Sequence, residues 1–431
     1  MLMTFKNVGI VEFAEIDLKG LTILTGLNDT GKSFISKSIY AAIKTIKDSY
    51  AQDTNDKFSQ LDSYWVGIRG LLNTIKQPPR PEISTLFEKM LFPLRAEVMS
   101  NISNKAPIDN TISKIRHSQI EILQFEEIPP NIKANIDQFF KAIINLLETQ
   151  KREKDIRVGY FNSIMIQQLF RSQFNSLINS GSQLSMSWSE GGNEILRLIS
   201  ENNKAVNIAV DDSFFGLLHF IDATIIDSPI LLQLNALILK NRLDANRPQL
   251  LTMPIYYADL VSKFIPVSNP VNPEINNVIK GIIGGTVVYE VKSNKILFIK
   301  NNGQAIESYN IANGIKSFGA IQMLLTAGSI HKNSILIIDE PEVHLHPKWI
   351  IEYANIIVEL ATADIPLVIS SHSPYLIEAL AKFCKPIKEK TKFYWGEQHT
   401  NGMSIFNDVT ENLEPIFKAL AAPMKALSFY V

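Results

Sequence analysis

One octapeptide limits the folds open to this chain more than any other feature. Gly26-Leu27-Asn28-Asp29-Thr30-Gly31-Lys32-Ser33 matches G-x-x-x-x-G-K-[S/T]. Such a loop works only between a strand and a helix. Its glycines let the backbone curl until the N–H groups face a phosphate, and the helix N-terminus adds a favourable dipole. The flanks fit. Residues 3–11 read as a strand, Leu21–Thr25 as a second, and SFISKSIYAAIKTIKDSY after the loop has apolar residues at helical spacing. On this reading Gly26, Asn28, Thr30 and Gly31 shape the loop around the phosphates of ATP. Lys32 brings positive charge to the β- and γ-phosphates, and Ser33 offers an oxygen to Mg²⁺.

A phosphate loop needs an acid at the end of a neighbouring strand. Ile335-Leu336-Ile337-Ile338-Asp339 is a buried-strand pattern ending in Asp, and Glu340 follows directly. The pair divides the work: Asp339 orients the metal shell and Glu340 polarises the attacking water. The next apolar strand, PLVISS (Pro366–Ser371), ends beside His372, whose imidazole at a strand end can reach the γ-phosphate or that water. Strand–helix–strand order over these segments makes the chain α/β.

Asp339 to Pro347 reads DEPEVHLHP, three carboxylates and two histidines. H-x-H beside carboxylates suggests zinc, but a zinc site needs three or four converging ligands, and the chain contains neither CxxC nor HExxH. With the phosphate loop and His372, the string resembles the ABC-type ATPases, in the soluble branch that holds the SMC, RecF and OLD-like proteins. The likeness covers residues 1–44 and about 205–431. It implies an ABC-type P-loop ATPase head, a mixed sheet with flanking helices, interrupted by a large all-helical insertion. DEPEVHLHP is then a fused Walker B and D-loop, and His372 the switch histidine. Glu342, His344 and His346 become residues of a dimer interface rather than metal ligands.

The resemblance also implies head-to-tail pairs, each ATP held between the phosphate loop of one copy and a signature segment of the other. The best signature candidate is Ile311–Ser317. Ala312 stands where a serine is expected, so Asn313 becomes the donor, Gly314 keeps the close backbone approach, and Lys316 neutralises phosphate charge. The departure implies slow turnover. Gln52 and Gln77 are candidates for the Q-loop glutamine, and neither is assigned. Asp227-Ser228-Pro229 reads as a structural turn.

The chain has 431 residues, enough for two or three domains. Residues 1–44 and 205–431 are expected to form the head, and 45–204 a helical insertion that docks a partner, with breaks at Gln77–Glu82 and Pro129-Pro130. Strands are expected at Ala205–Val210, Ala223–Asp227, Thr286–Val291 and Lys295–Lys300, the last two as a hairpin turning at Ser293-Asn294, and helices at Lys316–Ala327 and about Trp349–Thr362.

A net charge of −1 gives no support for a surface built on many phosphate contacts. One cysteine, Cys384, allows no disulfide within the chain. The first residues lack the apolar core of a signal peptide, and no run of about 20 apolar residues suits a membrane span. The expected location is the cytoplasm, with no membrane partner.

Three functional classes follow from the resemblance. A transporter motor ranks last, because such domains lack an insertion of this size. A DNA repair or recombination ATPase of SMC or RecF type predicts a basic groove or coiled-coil arms. A regulatory ATPase of antiviral defence, resembling subunits of OLD-like, Septu-type, PARIS-type and retron-associated systems, fits best. Residues 373–431 are too few for the Toprim nuclease that follows the ATPase in OLD proteins. The expected partners are therefore a second copy of the chain and a separate effector such as a nuclease, through which nucleic acid is met.

Overall fold

The computed structural model describes residues 1–75, 87–103, 109–149, 153–171, 183–202, 204–211, 220–233, 255–266, 272–293 and 295–427. The break expected at Gln77–Glu82, with Gln77 itself, and Asn294 of the expected hairpin turn lie outside these residues. The chain forms two compact units. One is Met1–Lys47 with Phe161–Val431, and the other is Asp48–Tyr160.

Among the described residues the first unit holds fourteen strands, eleven of which join in one sheet. The N-terminal strands are β1 (Leu2–Val8), β2 (Val11–Asp17) and β3 (Leu21–Gly26). Helix α1 (Lys32–Thr74) starts at the phosphate loop and runs past the boundary between the units. Further strands are β4 (Leu184–Glu190), β5 (Asn193–Glu201), β6 (Lys204–Val210) and β7 (Asp222–Ile226). A small separate sheet contains β8 (Gly285–Glu290), β9 (Lys295–Lys300) and β10 (Ala305–Glu307). The last strands are β11 (Ser334–Asp339), β12 (Leu367–Ser371), β13 (Thr391–Gln398) and β14 (Ser404–Asp408).

The large sheet has the order β6-β5-β4-β1-β2-β14-β13-β3-β12-β11-β7. From β13 to β7 every neighbouring pair is parallel. Of those strands β11 and β12 are continuous apolar runs of the sequence, and β3, β7 and β12 are buried along their whole length, as parallel strands covered on both faces must be. The β6–β2 side is antiparallel, and its strands alternate. The fold is the expected mixed sheet with flanking helices and a helical insertion.

Four helices flank the C-terminal strands: α8 (Asn313–Ala327), α9 (Pro347–Thr362), α10 (Pro374–Phe383) and α11 (Glu414–Leu427). Two more, α6 (Ile255–Ser262) and α7 (Pro273–Ile283), precede the small sheet. Phe318 of α8 packs edge-on against Trp349 and Tyr353 of α9, with ring centroids 5.7 and 5.0 Å apart.

The second unit is helical. It takes the C-terminal part of α1 with α2 (Phe92–Ser103), α3 (Asp109–Gln124), α4 (Pro130–Glu148) and α5 (Glu153–Tyr160). Its own core centres on Trp65, Ile68, Ile115, Phe140 and Ile143, with Trp65 edge-on to Phe140 at 6.1 Å.

Two expectations are corrected. Residues 3–11 are not one strand: Asn7 and Gly9 both adopt φ of 58° and fold the segment into the β1–β2 hairpin. The helical segment does not extend to residue 204, because β4 and β5 occupy Leu184–Glu201. LSMSWSE alternates, burying Leu184, Met186 and Trp188 on one face, and Gly191-Gly192, both with positive φ, supply the turn. The compact helical unit accordingly ends at Tyr160, and residues 161–204 belong with the head.

Candidate nucleotide site

The phosphate loop leaves β3 at Gly26 and closes onto α1 at Lys32. Asp29 (φ 61°) and Gly31 (φ 90°) take the left-handed conformations that curl it. A Cβ on Gly31 would meet Val11 Cγ2 at 2.5 Å, so no larger residue fits there. Thr30 is buried, and its hydroxyl donates to the Leu27 carbonyl at 2.9 Å, which leaves its side chain bracing the loop while its amide stays free to face a phosphate.

Lys32 is 5% exposed and its ammonium donates to the Gly26 and Leu27 carbonyls at 3.0 and 2.8 Å. Burial holds its pKa below the ordinary lysine value, and the nearby Glu340, Asp339 and Glu342 carboxylates oppose that shift. The ammonium thus sits in an acid-rich rim, where a triphosphate would exchange carbonyl contacts for anionic ones.

Parallel pairing brings the acids to the same rim. Asp339 is in register with Ser370 of β12, and Ser370 is in register with Leu24 of β3. Ser33 Oγ donates to Asp339 Oδ2 at 2.7 Å, and Ser370 Oγ donates to Asp339 Oδ1. These are hard oxygen donors of the kind Mg²⁺ takes, so Ser33 and Asp339 fit the ion that accompanies ATP. Mg²⁺ bound there would supply charge neutralisation at the β- and γ-phosphates.

Glu340 has φ of 48°, an uncommon conformation for a non-glycine residue, and its N–H donates to the Ser370 carbonyl at 3.0 Å. Its Oε1 lies 3.1 Å from His372 Nδ1. Glu340 and His372 line one cavity of about 390 Å³ together with Asn28, Gly31, Lys32 and Ser33. A glycine-bearing loop, an ammonium, a serine hydroxyl, a carboxylate and an imidazole thus share a single space.

The remaining candidates separate. Glu342 turns inward. Its carboxylate accepts Ser371 Oγ–H at 2.7 Å and His372 N–H at 3.2 Å, so it faces the end of β12 of its own chain. His344 and His346 are exposed; His344 has φ of 70°, and His346 Nδ1 accepts Lys348 N–H at 3.3 Å to cap α9. Asn313 and Gly314 open α8. A Cβ on Gly314 would meet the Trp349 ring at 2.7 Å, so this glycine is required for helix packing. Lys316 is 1% exposed, and its ammonium donates to Asn313 Oδ1 at 3.2 Å within the same chain. Burial lowers its pKa.

Sequence reasoning understated Asp227. Ile226 pairs with Ile338, so Asp227 follows the end of β7 as Asp339 ends β11. It accepts from the hydroxyls of Tyr256 and Tyr257, and burial raises its carboxyl pKa. The available signal was an apolar run closing on Asp, the same pattern as β11. Gln52 Nε2 donates to Asp56 Oδ1 at 2.9 Å, within the helical unit.

Residues 21–378 match the protein family described as "AAA domain, putative AbiEii toxin, Type IV TA system". The chain belongs to that family. It is a P-loop ATPase of the AAA-domain type, and the matched span runs from β3 into α10 and holds the phosphate loop, Glu340 and His372 of the cavity. No curated protein is significantly similar to this family member in sequence. Among solved structures it is similar to the SMC head domain from Thermotoga maritima, with 11% identity, 95% of this chain and 98% of that one covered, and a TM-score of 0.40. It is also similar to an Smc head bound to the C-winged helix domain of ScpA, at 10% identity, 94% and 96% coverage and a TM-score of 0.42. Among the described residues of this AAA-domain protein, no helix is long and apolar enough to cross a membrane.

Proposed function

We propose that the protein is an ATP-hydrolysing regulatory ATPase that closes head to tail with a second copy and controls a separate effector, of the nuclease class, in antiviral defence. One observation carries the ATP chemistry: Lys32, Ser33, Glu340 and His372 converge on one cavity whose rim also holds Asp339. In that arrangement the loop amides and Lys32 bind the phosphates, and Glu340, aligned by His372, takes a proton from the attacking water.

Self-association is supported by the rim. Val343 and Tyr375 are 38% and 62% exposed; Val343 follows Glu342 and Tyr375 lies two residues after Ser373, residues of the bonded cluster that joins the loop after β11 to the turn after β12. Leu27, in the phosphate loop, is 49% exposed. Exposed apolar side chains around a nucleotide site suit a second copy closing over it. Asn313 and Gly314 are the signature residues offered across that interface, and Ala312 in place of a hydroxyl residue slows turnover. The family description, with its toxin and type IV TA system, supports a paired system in which one component restrains another. The unit Asp48–Tyr160 is the surface proposed to hold the effector.

The test is Glu340→Gln, measured by ATPase rate and by solution mass with and without Mg-ATP. The expected result is a loss of hydrolysis of about 100-fold or more, with a long-lived ATP-dependent dimer. Hydrolysis at the wild-type rate, or failure to self-associate with ATP, overturns the reading. Co-purification of a small nuclease favours defence, whereas tight, salt-sensitive DNA binding by the isolated chain favours the SMC- or RecF-like repair alternative.

A further inference from the structure

We infer that Glu342 is a positioning residue for hydrolysis within its own chain: it fixes His372, and His372 in turn aims Glu340. The inference rests on the ATPase reading above and gives Glu342 a task inside one chain.

The bonds form a connected set. Glu342 Oε1 accepts Ser371 Oγ–H at 2.7 Å and His372 N–H at 3.2 Å. Ser371 Oγ also accepts Ser373 N–H at 3.0 Å, and Ser373 Oγ accepts Leu376 N–H at 3.4 Å to cap α10. The turn that presents His372, between β12 and α10, is therefore anchored on one carboxylate. The ring follows the turn. Its Nδ1 lies 3.1 Å from Glu340 Oε1 and 3.7 Å from Glu342 Oε1.

An ionised carboxylate only accepts hydrogen bonds, so the nitrogen facing Glu340 carries a hydrogen. In the neutral ring Nε2 then keeps its lone pair. The Nδ1–H bond holds Glu340 Oε1, which leaves Glu340 Oε2 to receive the proton of the attacking water. In that step one water O–H bond breaks toward Oε2 and the water oxygen bonds to the γ-phosphorus. The bond from γ-phosphorus to the bridging oxygen breaks, and ADP leaves with its electron pair. Glu342 touches none of the reacting atoms.

The environment of Glu342 points the same way. The residue is 8% exposed, and its Oε2 has no hydrogen-bond partner among the described residues. A buried carboxylate oxygen without a donor is unfavourable, and an apolar side chain would fill the same space without that cost. What the carboxylate provides there is the pair of bonds on Oε1.

The full chain with ¹⁵N-labelled histidine tests this by NMR, with His372→Gln assigning one of the seven histidines. The expected wild-type signal has hydrogen on Nδ1 of His372. Glu342→Ala is expected to move that hydrogen toward Nε2, the usual tautomer of an unconstrained imidazole. It should lower kcat by about 10–100-fold, as loss of an orienting partner does, with KM for ATP little changed. Glu342→Gln, which keeps a carbonyl acceptor for Ser371 and the His372 amide, should recover most of kcat. A Glu342→Ala protein with the Nδ1–H signal and wild-type kcat overturns the inference. If that variant does not fold, a wild-type His372 protonated on Nε2 alone, or a Glu342→Gln protein as slow as Glu340→Gln, overturns it. Hydrolysis by Glu340→Gln at the wild-type rate overturns instead the ATPase reading, and the tautomer measurement does not depend on it.

Discussion

Asp222→Asn replaces one of two carboxylates in a buried ion cluster shared by α1, β7 and α6. Asp222 Oδ1 lies 3.2 Å from Lys44 Nζ, and its Oδ2 lies 2.9 Å from Lys47 and 3.1 Å from Lys263. Asp259 takes Lys44 at 2.9 Å and Lys263 at 3.1 Å. Three ammonium groups thus share two carboxylates, and the Lys44 and Lys263 side chains are 5% and 10% exposed. The isosteric amide leaves Lys44 and Lys263 to share Asp259 and removes the carboxylate that Lys47 faces. Removing one partner from a buried ionic group costs about 3–5 kcal/mol. Lys44→Met, by contrast, leaves two lysines with two carboxylates and should cost less, roughly 1–3 kcal/mol, the lost charged hydrogen bonds being offset by relief of repulsion from Lys263. At about 2–4 °C per kcal/mol, Asp222→Asn lowers Tm by roughly 6–20 °C near pH 7. Burial raises the Asp222 pKa, but the three lysines outweigh it and hold the carboxyl well below the usual carboxylate range. A depressed folded pKa gives stability that is present above the unfolded value of about 4 and lost as pH falls below it. The gap between wild type and variant should therefore be full at pH 7 and shrink below pH 4. Thermal melts followed by tryptophan fluorescence across pH 3–8 read both effects. A Tm within about 1 °C of wild type, or Lys44→Met costing more than Asp222→Asn, refutes the charge count.

Two more substitutions test the site and its frame. Gly314→Ala normally favours a helix, but here the new methyl meets the Trp349 ring at 2.7 Å, so a loss of about 1–3 kcal/mol in a denaturant melt is expected, and a gain would contradict the packing. Ser33→Ala removes the hydroxyl held 2.7 Å from Asp339, so ATP should still bind but need a higher Mg²⁺ concentration for hydrolysis, and an unchanged Mg²⁺ titration counts against Ser33 as a metal oxygen.

The legible parts of this fold are those written in short contiguous runs. Gly26–Ser33 and Ile335–Glu340 carry both chemistry and position in one stretch, because a parallel strand delivers whatever follows its last apolar residue to the same rim. The helical insertion was legible from spacing in a chain whose sheet is α/β. The β4–β5 hairpin was missed although LSMSWSE alternates and Gly191-Gly192 marks a turn, because helical patterns on its N-terminal side dominated the segment. The inward turn of Glu342 and Lys316 was not legible for another reason. A charged side chain in a loop or first helical turn reads as outward, and only its tertiary neighbours, Ser371 and His372 for one, Asn313 for the other, turn it in. Asp227 was passed over because Tyr256 and Tyr257, which hold it, lie far along the chain.

The strand that carries the phosphate loop is enclosed by late arrivals. β3 lies between β12 and β13, and β2 is bordered by β14. During synthesis Lys32 emerges early, but Glu340 and His372, which complete the lining of its pocket, come from the ends of β11 and β12, with β13 as the other neighbour of β3. Joining them requires closing a very long loop, an entropic cost that local helices elsewhere do not face. A nascent or truncated chain ending before residue 367 therefore bears the motif without the means to grip a triphosphate. Nucleotide capture is thus a property that the molecule acquires only once nearly all of it has been made.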